Sequence, residues 1–441
     1  GCSPVISNCQ FNNNRAAPGS GLGYGGSIIV IGGEPVIENC SFNGNVAFKG
    51  GALAVFNDAH VSVNQCQFDA NNCSDIASNN LGGAIYVENS TLNMNGGRIS
   101  GGTVAYQGSG LFAEGSSVDF NGVEFLDNHS SESGGAVQIA NGYLNAAGMV
   151  LTGNSCISGG GGGLYCDSST LSLTNSLFAN NQSGVLGGGL LALNASGKIE
   201  NNLFLENTAT SGGGLMVVAA DAFLVRNNII KDNHGNGMLA VGELMSADFN
   251  NVVGNLPSNF GNNPAGAHDL SLDPLFVNAA AGDFGLAQFS PCVDAGQQDS
   301  SCQDPDGSRA DMGLLGGPSS NFVAPSKVTG AALADLGAGE IRLTWDSSPE
   351  ENIQHYVVYR DTAAIFVPTA LRAVATVEHP ATSFDDQPPF DCYYLVAAVD
   401  ENGYSSGYSE RVYTSAQVTA AGGESTPWVL AITGVVPNPF N

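Results

Sequence analysis

Along the first half of the chain, apolar and polar residues alternate in runs of only three to five positions. "ALAVF", "HVSVN" and "CQF", between Ala52 and Phe68, are three such runs with Asn, Asp and Gln at their joints. A period of two marks strands with one face buried, and the joint residues are those that turn a chain. Helical repeats need apolar residues every three or four positions, and that spacing is absent here.

The pattern recurs. Aligned on Phe68, the anchor positions are Phe11, Phe42, Phe68, Ile99, Phe125, Leu151, Phe178, Phe204 and Ile230, with steps of 31, 26, 31, 26, 26, 27, 26 and 26 residues. Three short strands and a glycine turn in about 26 residues predict one rung of a right-handed parallel β-helix, whose inner face is buried only when rungs stack. Equivalent side chains then lie above one another at the strand spacing of about 4.8 Å. The expected core is a phenylalanine ladder with Ile and Leu substituting. Cys9, Cys40 and Cys66, two residues before their anchors, are expected on the same inward face as small apolar groups.

Asparagine follows the anchor by three residues at Asn14, Asn45, Asn71, Asn128, Asn154, Asn181, Asn207 and Asn233. A corner asparagine adopts the left-handed conformation readily, and a vertical column of amides satisfies polar groups along the stack. Glycine pairs such as Gly50-Gly51, Gly82-Gly83 and Gly134-Gly135 are expected to supply positive φ at the next corner.

Phe-x-x-Asn occurs literally at Phe11, Phe42, Phe68, Phe125, Phe178 and Phe204, and Gly-Gly-Ala followed by Leu, Ile or Val occurs at Gly50, Gly82 and Gly134. This pairing resembles the repeats of the chlamydial polymorphic outer membrane proteins, and the resemblance implies a secreted β-helical passenger that adheres and self-associates. It covers residues 1 to about 240, and the rungs are assigned to residues 1–254. "DPLFVNAAAGDFGLAQFSPCVDAG" and "DPDGSRADMGLLGG" are similar to the terminal region of secreted bacterial β-helix proteins, so residues 255–320 are expected to be the last rungs and a cap. From Pro325 the strands lengthen. "IRLTWDSS", "HYVVYRD" and "CYYLVAAVDENGYSS" resemble strands of a fibronectin type III-like β-sandwich over residues 325–418, with Trp345 in the core and Cys392 replacing the usual corner tyrosine. Residues 419–427 read as a linker, and "WVLAITGVVPNPFN", residues 428–441, looks like the start of a type IX secretion C-terminal sorting domain. That likeness implies export to the outer surface of a bacterium or beyond it. Gly1 begins in mid-pattern, so a leader and further rungs are expected before it.

The chain has 441 residues, 60 of them glycine, and 12 Lys plus Arg against 40 Asp plus Glu, giving a formal net charge of −28. Such a surface repels phosphate backbones and anionic lipid, which excludes nucleic acid as a partner. No run of 18 apolar residues occurs, so membrane insertion is not expected. The close pairs Cys156/Cys166 and Cys292/Cys302 are disulfide candidates, and no neighbouring ligand set favours metal at either. Asp304, Asp306 and Asp311 offer hard oxygen ligands for a structural calcium, with Arg309 as their alternative partner. No other cofactor is expected.

A β-helix also suits polysaccharide lyases and hydrolases. The bases of residues 1–318 are scattered: Arg15, Lys49, Arg98, Lys198, Arg226, Lys231 and Arg309. Asp127, Glu206 and Asp232 share a column, as do His129 and His234, but they read as solvated corners. No Gly-x-Ser-x-Gly elbow is present. Catalytic residues are therefore not assigned. The leading expectation is a non-enzymatic extracellular surface protein, adhesive or assembling on itself head to tail or laterally, with cell-surface glycans as alternative partners. Rows of Tyr24, Tyr86, Tyr106, Tyr143 and Tyr165 would support glycan binding if exposed. A polysaccharide lyase or glycoside hydrolase is the alternative.

Overall fold

The computed structural model describes residues 3–16, 23–73, 80–104, 106–242, 245–262, 265–319, 324–364 and 366–414. The expected linker at 419–427 and the sorting-domain start at 428–441 lie outside the described residues. The chain divides into two compact units, residues 1–271 and 272–441. Among the described residues, no helix is long and apolar enough to cross a membrane.

The first unit is a parallel β-solenoid. One coil runs through Leu53–Phe56, His60–Asn64 and Gln67–Asp69, followed by the two-residue strand Asn72–Cys73. Each strand pairs in parallel and in register with its equivalents above and below: Phe11, Phe42, Phe68, Ile99, Phe125, Leu151, Phe178, Phe204 and Ile230 form one column. The column continues to Val252, across a coil shortened to 22 residues that the sequence pattern missed. Stacked rings fill it, with centroids 4.7 Å apart for Phe11 and Phe42, 4.5 Å for Phe42 and Phe68, and 4.7 Å for Phe178 and Phe204.

The corners explain the composition. Asn13, Gly44, Ala70, Gly101, Asp127, Gly153, Asn180, Glu206, Asp232 and Gly254 all have φ between 51° and 70°. The left-handed residue is thus the one before the asparagine column, not the asparagine itself, which corrects the expectation drawn from Asn propensity. A glycine pair does two jobs. Gly50 has φ +63°, while a Cβ on Gly51 would stand 2.3 Å from the Gly83 carbonyl oxygen of the next coil. The first position needs the conformation and the second needs the space.

The last coil is closed by residues 256–271. Leu270 accepts the N–H of Val252, Asn259 Oδ1 accepts from Asn255, and Asp269 Oδ1 accepts from Asn250 at 2.7 Å. These groups take the places that a further coil would fill, so this sheet edge is covered.

The second unit contains a β-sandwich. Ala332–Gly337, Glu340–Thr344 and Ser383–Asp386 form one antiparallel sheet; Ala373–Glu378, Ile353–Asp361, Cys392–Asp400 and Val412–Thr414 form the other. This three-plus-four order is that of a fibronectin type III-like sandwich. Trp345 is buried in its core, edge-on to Tyr356 at 5.4 Å. Cys392, at the expected tyrosine corner, donates its thiol to the Phe390 carbonyl at 3.0 Å. Residues 272–318 belong to this unit and are hydrogen bonded to the sandwich: Tyr404 Oη donates to Asp283 Oδ2 at 2.9 Å, and Tyr408 N–H donates to Asp294 Oδ2 at 2.5 Å.

Candidate functional site

The asparagine column is a continuous amide ladder over most of its length. Asn181 Oδ1 accepts both the N–H and the Nδ2 of Asn154, at 3.1 and 2.9 Å, while Asn181 Nδ2 donates to the Leu151 carbonyl and to Asn207 Oδ1. The same geometry links Asn14 to Asn45, Asn45 to Asn71, Asn128 to Asn154, and Asn207 to Asn233 and on to Asn255. Asn45, Asn71, Asn128, Asn154, Asn181, Asn207 and Asn233 are fully buried. Gly102 interrupts the column, since a Cβ there would lie 2.8 Å from the Ser109 carbonyl oxygen. These amides face the interior and are spent on one another, so they offer nothing to a ligand.

A second ladder, unread in the sequence, occupies the cysteine column. Asn202, Asn228 and Asn250 stand where Cys9, Cys40 and Cys66 stand in earlier coils, and Asn228 Oδ1 accepts from Asn202 N and Nδ2 at 2.9 and 3.0 Å. The thiols fill the same role: Cys9 N–H donates to Cys40 Sγ and Cys40 N–H to Cys66 Sγ, both at 3.4 Å. Burial pushes the Cys66 thiol up to about 11. The recurrence of asparagine two residues before Phe204, Ile230 and Val252 was the available signal.

At the outer corner, Asp127, Glu206 and Asp232 hold left-handed positions, and Lys231 Nζ lies 2.7 Å from Asp232 Oδ2. Next to them the fold creates a contact between residues 26 apart. His129 and Ser155 are in register, and His129 Nδ1 lies 2.7 Å from Ser155 Oγ. This is the geometry of a hydroxyl nucleophile beside a base. The surrounding N–H groups are committed, however: Ser155 donates to the Asn128 carbonyl, Ile157 to Ser130 and Gln182 to Asn154. His234 sits in register with Thr208 at the equivalent place.

On the outer face of the first strand, Glu88 and Glu114 are paired in register on neighbouring coils. Lys49 Nζ donates to Tyr86 Oη at 2.9 Å, and Tyr86 Oη donates to Glu88 Oε2 at 3.0 Å. Burial lowers the Lys49 pKa, against the opposing pull of Glu88 and Glu114. Tyr86 and Tyr165 are buried, with Phe112 and Leu191 as neighbours, and do not form an exposed aromatic row; Tyr143 is 40% exposed.

The disulfide candidates are not joined. Cys156 lies on a two-residue strand between Ser130 and Ser183, whereas Cys166 lies on Leu164–Asp167 between Ile139 and Ala192, its thiol raised by full burial. The glycine run between them carries the chain from one face to the next. Cys292 and Cys302 are buried and not bonded to each other, and the described residues contain no disulfide.

Asp304, Asp306 and Asp311 gather with Asp294 in the second unit. Asp304 accepts N–H groups from Asp311 at 2.9 Å and from Gly317; Asp306 accepts from Ser308 at 2.9 Å and Lys327 at 3.1 Å; Asp311 accepts from Asp294 at 2.7 Å. Arg309 donates to the carbonyls of Ala295 and Gly296, and the Asp294 carboxylate acts on its charge. Among the described residues, no three acidic, histidine or cysteine side chains stand close enough to hold a metal ion.

Residues 109–263 match the family model described as right handed beta helix region. No curated protein sequence matches the chain. Among solved structures, it is similar to the Clostridium perfringens spore cortex lytic enzyme SleM, at 22% identity over 22% of this chain and 30% of that one, with a TM-score of 0.17. A Fn3-like protein from Clostridium thermocellum is 26% identical over 21% of this chain and 92% of its own, with a TM-score of 0.18. The β-1,2-glucanase of Parabacteroides distasonis is 23% identical over 23% of this chain and 15% of its own, with a TM-score of 0.17. With TM-scores this low, the sandwich is identified by its own strand order and not by these likenesses.

Proposed function

We propose that the chain is a non-enzymatic extracellular surface protein, adhesive or structural, which presents the outer faces of its β-helix to cell-surface glycans or to other copies of itself. The β-helix fold serves both surface proteins and polysaccharide-degrading enzymes, so the choice rests on chemistry. The observation that carries it is the setting of Ser155 and His129. An acyl-transfer site built on this pair needs donors aimed at the developing oxyanion, and here the N–H groups of Ser155, Ile157 and Gln182 all donate to the neighbouring coil. A glycoside hydrolase instead needs two carboxylates free to flank the scissile bond, and here Asp232 is engaged by Lys231 and Glu88 by Tyr86. The closure of the last coil by Asn259, Asp269 and Leu270 favours lateral contacts over head-to-tail stacking at that edge.

Purified protein incubated with a panel of acidic and neutral polysaccharides tests this reading. Retention on one or more glycans, or ordered lateral assemblies in electron micrographs, with no new reducing or unsaturated ends, is the expected result. Release of such ends, abolished by Ser155→Ala or Glu88→Gln, would overturn the non-enzymatic reading. Neither binding nor assembly would overturn the adhesive one.

A further inference from the structure

Coil stacking brings together cysteines that lie far apart in the sequence. Ser7 pairs with Glu38 and Gln10 with Ser41, so Cys9 and Cys40, 31 residues apart, stand in register on the first and second coils. The Cys40 sulfur leans toward the first coil: it accepts the Cys9 N–H at 3.4 Å and lies 3.5 Å from the Ile6 carbonyl oxygen. The Cys9 sulfur rests 3.2 Å from the Ser7 carbonyl oxygen. Cys9 is exposed, whereas Cys40 is buried.

In-register neighbours of a parallel sheet have Cα atoms about 4.8 Å apart, inside the span of about 4.4–6.8 Å that a disulfide bridges. Their Cβ atoms must close by roughly a few tenths of an ångström to reach disulfide geometry. The first coil can supply that shift, because Val5 on its leading strand is 64% exposed and the exposed Cys9 side chain can turn about χ1 away from Ser7. Cys66 lies one coil further on, with its sulfur against the Cys40 N–H. Two strand spacings, about 9.6 Å, separate it from Cys9, which puts that pair out of bonding reach. The two thiols of the first pair therefore have different parts. The exposed one meets an oxidant in solution, and the buried one meets only its neighbour.

We propose that Cys9 and Cys40 form a redox site, closed to a disulfide by a low-molecular-weight disulfide such as oxidised glutathione, which clips the first coil of the solenoid to the second. The Cys9 thiolate attacks one sulfur of the oxidant, forming a mixed disulfide and releasing one thiolate. The Cys40 thiol then gives up its proton and attacks the Cys9 sulfur, and the second glutathione leaves and takes up a proton. Two protein thiols are oxidised and one small disulfide is reduced to two thiols. The site is independent of the adhesive reading of the outer faces, because both side chains belong to the inward column.

The test is disulfide mapping on the full chain. Reduced native protein, freed of reductant, is incubated with oxidised glutathione at mildly alkaline pH, capped with N-ethylmaleimide in acidic denaturant, digested with trypsin and analysed unreduced by mass spectrometry. Trypsin cuts after Arg15 and Lys49, which leaves Cys40 as the only cysteine of residues 16–49 and puts Cys9 with Cys2 on residues 1–15. Fragment ions and a Cys2→Ser variant separate those two. The expected result is a Cys9–Cys40 cross-link as the dominant disulfide, retained in Cys66→Ser, and a glutathione mixed disulfide that persists on Cys9 in Cys40→Ser. If Cys40→Ser fails to fold by circular dichroism, Cys9→Ser at its exposed position decides the matter, because Cys40 should then stay a free thiol. A mixed disulfide that persists on Cys9 in the unsubstituted chain, a bond from Cys9 to Cys2, a dominant Cys40–Cys66 bond, or oxidation of Cys40 undiminished in Cys9→Ser would overturn the proposal.

Discussion

Replacing Asn181 with alanine tests the amide ladder in the middle of its unbroken run from Asn128 to Asn233. The substitution deletes four hydrogen bonds of 2.8 to 3.1 Å: two accepted from Asn154, one donated to the Leu151 carbonyl and one donated to Asn207. Not all four losses count equally. Asn207 Oδ1 keeps the backbone N–H of residue 181 at 3.0 Å, and Asn154 Nδ2 keeps the Phe125 carbonyl at 2.9 Å. The Asn154 N–H, however, is left buried without an acceptor. One orphaned buried donor costs about 1–3 kcal/mol, and the void left by the lost amide adds roughly 1–2 kcal/mol. The sum is about 2–5 kcal/mol. Asn145→Ala is the matched control: it removes an exposed 3.0 Å bond to Asp119 on the outer face, and such surface changes stay within about 0.5 kcal/mol. Urea unfolding followed by circular dichroism, with amide exchange at the neighbouring coils, measures both. Because solenoid coils interact mainly with their neighbours, protection should fall first between Asn154 and Asn207. Equal losses in the two variants, or unchanged exchange around Asn181, would refute the claim that the ladder holds the coils together.

Two further outcomes follow from the buried acids and thiols. The raised carboxyls of the second unit bind protons more tightly folded than unfolded, so its stability should fall as pH rises from about 4, the unfolded value, through the folded value of about 7 at Asp304. Neither tryptophan lies in the first unit, so the unfolding free energy from urea titrations read by tryptophan fluorescence should be lower at the alkaline end by on the order of 3 kcal/mol, a slope that Asp304→Asn should flatten; an unfolding free energy that rises with pH would refute this. Cys9 is exposed, whereas the Cys66 and Cys73 thiols are buried and pushed up to about 11 and about 12. Iodoacetamide should label Cys9 in the native protein and the other two only in denaturant, and native labelling of Cys66 would contradict its place in the sulfur ladder.

What could be read before folding, and what could not, follows from how each residue earns its position. The phenylalanine and asparagine columns were legible because one chemistry recurs at a fixed step, and in-register stacking turns that step into contact. The left-handed corner one residue earlier was not legible. It demands a backbone angle and no particular side chain, so Asn13, Ala70, Asp127 and Glu206 share it without resembling one another. The second ladder was hidden because its column is broken: the thiols of Cys40 and Cys66 and the amides of Asn202 and Asn228 each accept an N–H from the preceding coil, but Gly97, Val123 and Met149 stand between them. Contacts across the fold were the least visible. His129 meets Ser155 only because a coil is 26 residues long, and Asp294 joins Asp304, Asp306 and Asp311 only because Tyr408 and the loop around Gly407 close over it. Ladders are local rules repeated, so a sequence displays them. Contacts between distant segments are not repeated, so nothing in the sequence displays them: Asp294 accepts the Tyr408 N–H of the sandwich, 114 residues away, through no recurring step.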